Sequence, residues 1–194
     1  MSEAGREPVV AFRVWYTCRD PATAALGGAS TPRSAPGQGL YSVALGVGWR
    51  PGVNEAFCRF TASVRDVSPL PLGQTLHLPG EQVPVERCAC GIYSYGSLET
   101  AKRFRDECHE QMSPLMVLGA VRIWGKTLIA RVTDHSGRLA GPGLRYRSQF
   151  AEVLAVARES ERGRSVAAQM GVPAVAEAYL ESFARELGEQ LRRH

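Results

Sequence analysis

Apolar and polar positions follow a strand-like pattern over most of this chain and turn helical only near its end. Residues 8–18, Pro-Val-Val-Ala-Phe-Arg-Val-Trp-Tyr-Thr-Cys, are β-branched and aromatic and predict a first strand. Strand character returns at Leu40–Gly46, and Trp49-Arg50-Pro51-Gly52 predicts a turn before a helical turn or short strand over Ala56–Phe60. Val117–Lys126 is strongly strand-like and continues through Thr127–Thr133; Gly119 and Gly125 inside it mark a bend or a close backbone approach. Asp134–Gly143 reads as a glycine-rich turn and Arg145–Leu154 as the returning strand.

Helical signals are fewer. Ser97 stands where an N-cap belongs, with Thr100 at the third position, and the helix is expected to run to about Met112, ahead of Pro114. A short helix follows over Ser160–Met170, stopped by Gly171. Pro173 suits the first turn of a last helix, whose apolar face would carry Val175, Tyr179, Phe183 and Leu187, with Glu177, Glu181 and Glu186 on its wet side. The predicted fold is α+β: a curled antiparallel sheet or small partly open barrel, with one helix after the Cys-x-Cys and two C-terminal helices. Residues 1–157 form the mostly β domain, and 158–194 a helical extension packed on it.

Two stretches lack periodicity. Residues 19–38 and 66–87 are crowded with Pro, Gly and small polar residues and predict loops, the first of them flexible. A long extended segment needs partners for its backbone polar groups. Cys58, His77, Cys88 and Cys90 offer such a staple: three thiolates and an imidazole suit tetrahedral zinc, and a close Cys-x-Cys pair with two distant ligands crosslinks the fold. Gly91 permits the backbone to bend behind the pair. Cys108 and His109 are alternative ligands. Tyr93, Arg122, Trp124 and Tyr146 are the candidate binding side chains, able to grip an anion or stack on a ligand.

Composition narrows the class. Hydrophobic residues at 44% and charged residues at 22% are those of a globular chain. Five cysteines, an odd number, and an N-terminus without a secretory pattern argue against a disulfide framework and predict a cytoplasmic protein. No apolar run is long enough for a membrane helix. The net charge is +4, and 21 of the 23 basic residues are arginine, dispersed among acids. Gly-x-Ser-x-Gly, His-Glu-x-x-His, EF-hand and phosphate-loop patterns are absent. Residues 165–180 resemble a helix-turn-helix, but Glu177 falls on an inward position and acids would face the phosphates, so two packed helices are expected.

Taken together, Trp49-x-Pro51-Gly52, Cys58, His77, Cys88-x-Cys90-Gly91-Ile92-Tyr93, Gly119-x-Val121-x-Ile123-Trp124-Gly125 and Gly171-Val172-Pro173 resemble a family of uncharacterised bacterial proteins of the actinobacterial type. The resemblance spans about residues 40–190 and implies a shared fold and a shared metal site, with no reaction attached. The expected function is a non-enzymatic, zinc-stabilised binding or adaptor module acting through a protein partner, with homo-oligomers also compatible. A small Cys/His-dependent enzyme or ligand sensor with a cleft beside the sheet is the alternative. Nucleic-acid binding through the C-terminal helix pair is the third.

Overall fold

The computed structural model describes residues 8–18, 39–42, 48–56, 81–86, 90–107, 116–133 and 139–192. Among these residues seven strands form one sheet: β1 (Val9–Cys18), β2 (Gly39–Ser42), β3 (Val53–Glu55), β4 (Ile92–Tyr95), β5 (Met116–Thr133), β6 (Leu139–Ala157) and β7 (Ala174–Val175). The described helices are α1 (Leu98–Glu107), α2 (Glu161–Met170) and α3 (Leu180–Arg192), with a 3-10 turn over Glu177–Tyr179. The fold is α+β, and every pairing is antiparallel except that of β6 with β7.

The sheet curls because β5 and β6 are long and break register along their shared ladder. Shifts fall between Ala120 and Val121, Trp124 and Thr127, and Arg131 and Thr133. At the second of them Gly125 takes φ 75°, a left-handed conformation that favours glycine. The curl brings the two outer strands together. β1 pairs with β5, β5 with β6, β6 with β4, and β4 returns to β1 through Phe12 and Tyr95 alone. A ring closed at one end by one residue pair is a curled sheet, not an even barrel.

Alternate residues of β1 feed two cores. Ala11 and Trp15 join Val121, Ile123, Val153 and Val156 under Val166, Ala167 and Met170 of α2. Phe12 and Val14 join Leu118, Ala120 and Ala155 under Leu98 and Ala101 of α1 and Leu180 and Ala184 of α3. The sheet is therefore a middle layer, with α2 on one face and α1 and α3 on the other. Gly119 sits at a close approach within the sheet: a Cβ there would strike the Ala155 carbonyl oxygen of β6 and lie 2.9 Å from Cζ3 of Trp15.

The caps stand where local chemistry places them. Ser97 Oγ accepts the Thr100 N–H at 3.2 Å, Ser160 Oγ accepts the Gly163 N–H, and Gly171 ends α2 at φ 68°. The described part of α1 ends at Glu107, so its expected extension to Met112 lies outside the described residues.

Two boundaries differ from the sequence reading. Pro173 does not open the last helix. Its carbonyl accepts the Val156 N–H, and the Val175 carbonyl accepts the Arg158 N–H, so this segment is drawn into β7 by pairing with β6. α3 begins at Leu180, which leaves Tyr179 67% exposed, while Leu180, Phe183 and Ala184 face inward as the helical periodicity predicts. The glycine-rich turn is also shorter than expected, since β6 starts at Leu139, opposite Thr133. The expected loops over 19–38 and 66–80 lie outside the described residues, and 81–86 hold no helix or strand.

Candidate functional site

Arg13 lies mid-strand in an otherwise apolar β1 and is 5% exposed. Its guanidinium donates to the backbone carbonyl of Tyr93 and stands 4.7 Å from the ring centre of Trp49. Trp49 meets Trp15 edge to face, with centroids 5.3 Å apart, and the backbone N–H of Trp49 donates to the Leu40 carbonyl at 2.8 Å. Burial pulls the Arg13 pKa down to about 10 against an opposing pull from Tyr95, because a desolvated cation is costly. The hydrogen bond to Tyr93 ties β1 to β4 where their ladder has one residue pair, and the indoles fill the concave side of the curl. A desolvated cation over indole contributes about 2 kcal/mol.

Cys90 begins β4. Its thiol is buried with Val83 and Val85, and Sγ accepts the Val85 N–H at 3.3 Å. Arg147 holds the same region, donating to the carbonyls of Cys90 at 3.4 Å and Glu86 at 3.2 Å. Gly91, at φ 114°, leaves room for Pro84: a Cβ there would lie 2.9 Å from the proline Cβ. The other candidate zinc ligands, Cys58, His77 and Cys88, and the alternatives Cys108 and His109, lie outside the described residues. Among the described residues there is no group of three or more potential metal ligands.

The four candidate binding side chains do not converge on one cleft. Tyr93 pairs across the ladder with Arg147, and Tyr146 with Ser94, so alternation sends the two tyrosines to opposite faces of the β4–β6 ribbon. Tyr93 sits beneath Arg145 at 5.5 Å and Arg147 at 6.0 Å. Tyr146 packs against the core cluster beneath α2. Arg122 and Trp124 do meet: the guanidinium lies 5.1 Å from the indole, donates to Glu152 at 2.5 Å, and Trp124 stacks on Phe150 at 5.7 Å. A cavity of about 370 Å³ opens elsewhere, between β1 and α3, lined by Val9, Val10, Phe12, Glu181, Ala184 and Arg185 among others. None of the candidate residues lines it.

The C-terminal segment is clamped by charge. Glu177 accepts from Lys102 at 3.1 Å and Arg105 at 2.6 Å, joining α1 to the 3-10 turn. Burial would raise its pKa, but hydrogen bonds from Arg105 and Lys102 and their charge outweigh this and hold it below the usual carboxylate range. Glu177 is thus a half-buried tether, not a residue of the wet side. β7 and the 3-10 turn also separate α2 from α3, unlike the short turn of a helix-turn-helix.

No family model matches the sequence, and no curated protein or solved structure is significantly similar to it. The arrangement must be read from its own chemistry. Sequence reasoning missed Arg13 and Glu152; a charge flanked by Phe12 and Val14 in a core strand was the available signal for the first.

Proposed function

We propose that this chain is a non-enzymatic binding module of the cytoplasm, stapled by zinc and acting through a protein partner. The observation that carries this reading is the filled concave face, where Arg13, Trp15 and Trp49 pack on one another. The candidate arginines and aromatics are spent on one another and on backbone carbonyls. Catalysis by general acid and base needs titratable groups converging on an open cavity. The cavity beside α3 carries one carboxylate and one guanidinium among mostly apolar walls, which suits an apolar contact better than bond-breaking. No helix among the described residues is long and apolar enough to cross a membrane.

The zinc part of the proposal rests on the donor set Cys58, His77, Cys88 and Cys90 and on the N–H that the buried Cys90 sulfur accepts, the kind of outer contact that orients a metal ligand. Zinc there would pin the proline-rich midsection against the β4–β6 ribbon. A native mass measurement on the purified protein tests both parts. The expected species carries one zinc per chain and no small organic ligand. A metal-free chain with freely titrating thiols removes the staple, and a stoichiometric metabolite turns the reading toward the ligand sensor.

A further inference from the structure

Residues 125–148, the far part of the β5–β6 hairpin, hold Lys126, Arg131, Arg138, Arg145 and Arg147 against one acid, Asp134. That net +4 equals the formal charge of the whole chain, so everything outside the hairpin is electrically balanced. Among the described residues, the same hairpin has an open side: β1 covers β5 from Met116 to Ile123, and beyond Ile123 β5 pairs with β6 on one side while no described strand lies along the other. Alternate residues of 127–133 therefore turn N–H and C=O groups toward a side that no described strand occupies, the standard template for an added strand. Ile129 and Leu144 are 42% and 40% exposed. The register pairs Ile129 with Tyr146 and Arg131 with Leu144, so Ile129, Arg131 and Leu144 share one face next to that edge.

We propose that the 126–133 edge of β5 receives an extended acidic segment of a partner protein as an additional strand. Ile129 and Leu144 take an apolar side chain of that segment, and Lys126 and Arg131 take its carboxylates. The proposal rests on the binding-module reading and adds to it the surface and the partner chemistry. Charge chooses the occupant: Lys126 and Arg131 repel a second copy of the same edge and attract an acidic strand. Lys126 donates to the Gln82 carbonyl at 3.2 Å and still has two N–H groups to offer. Nucleic acid is disfavoured because the rings a base would stack on are engaged. Trp124 lies against Arg122 and Phe150, Tyr93 beneath Arg145 and Arg147, and Tyr146 against the core. An exposed aliphatic pair likewise gains nothing from phosphate and fits the alternate-residue pockets of an added strand.

The test is a titration of the full chain with a fluorescent peptide of repeated Glu-Glu-Val-Val, which as a strand presents Glu and Val in turn on each face, read by anisotropy and by amide hydrogen exchange. The expected result is saturable, salt-sensitive binding that slows exchange within 126–133. The double variant Lys126→Glu/Arg131→Glu should lose affinity roughly tenfold and prefer a peptide of repeated Lys-Lys-Val-Val. Both side chains are exposed, so the variant should keep the circular dichroism of the parent. Ile129→Ser should weaken binding while leaving its salt dependence unchanged. Unchanged exchange within 126–133, equal affinity of the parent for the Lys–Val peptide, or preference for oligothymidylate or phosphatidylglycerol vesicles overturns the proposal. The two levels separate cleanly. A partner polypeptide that binds without protecting these amides removes the edge assignment and keeps the binding module; a chain that takes a small molecule and no polypeptide removes the module.

Discussion

Replacing Gly119 by alanine probes the contact on which the curl depends. The added methyl meets a carbonyl oxygen of β6 and Cζ3 of Trp15, the latter at 2.9 Å, and neither can step aside. The oxygen belongs to the ladder, and Trp15 is fully buried and wedged against Trp49. Overpacking at such a site costs about 1–3 kcal/mol, whereas glycine-to-alanine gains up to about 1 kcal/mol from the unfolded chain. A net loss of about 2 kcal/mol lowers Tm by about 4–8 °C for a chain of this size. Thermal unfolding followed by far-UV circular dichroism at neutral pH reads this directly. Gly188→Ala is the matched control. Its methyl would meet only Cγ2 of Val10, at 3.3 Å, a side chain able to shift slightly, and α3 gains about 1 kcal/mol of helix propensity. If Gly119→Ala melts at the parent temperature, β5, β6 and Trp15 do not converge as described, and the filled concave face loses its support.

Glu177→Gln should cost about 1 kcal/mol at neutral pH by loosening the bridge from α1 to the C-terminal segment. Because the folded carboxyl titrates below its unfolded counterpart, its contribution is present above the usual carboxylate pKa and fades as pH falls through the folded value. The parent and the variant should therefore converge in acid-melting curves, and a gap that widens in acid contradicts the assignment. Ser160→Ala should cost about 1 kcal/mol by freeing the Gly163 N–H, with Ser160→Asp restoring most of it in denaturant titrations. Cys90→Ser should abolish zinc retention after gel filtration while Cys108→Ser leaves it unchanged; the reverse pattern moves the fourth ligand from Cys90 to Cys108.

What the sequence made legible was local. Ser97, Ser160 and Gly171 act on groups within a few residues, and each does what its type predicts. Glycines 119 and 125 announced a bend, and the bend is there. The misreadings are long-range. Pro173 and Val175 suit a helix, but hydrogen bonds to Val156 and Arg158, distant in the chain, draw them into a strand. Gly141-Pro142-Gly143 looks like a turn, and the β5–β6 ladder does break there, with residues 140–143 opposite Val132 alone, but the strand resumes at Leu139 and Gly143 lies on Thr100 of α1. The candidate aromatics were visible as residue types, but which arginine would cover which ring depends on register and curl. The basic character of 125–148 was diluted by scanning the chain as a whole, where arginines and acids balance.

Amide hydrogen exchange of the full chain, alone and bound to the polypeptide that copurifies with it from its host, tests the binding-module account most directly. The account predicts slowed exchange along 126–133 of β5, with the Arg13–Trp49 interior as protected in the free chain as in the complex. Protection appearing first around residues 11–15 and 90–95, where the free chain would then prove open, would contradict it.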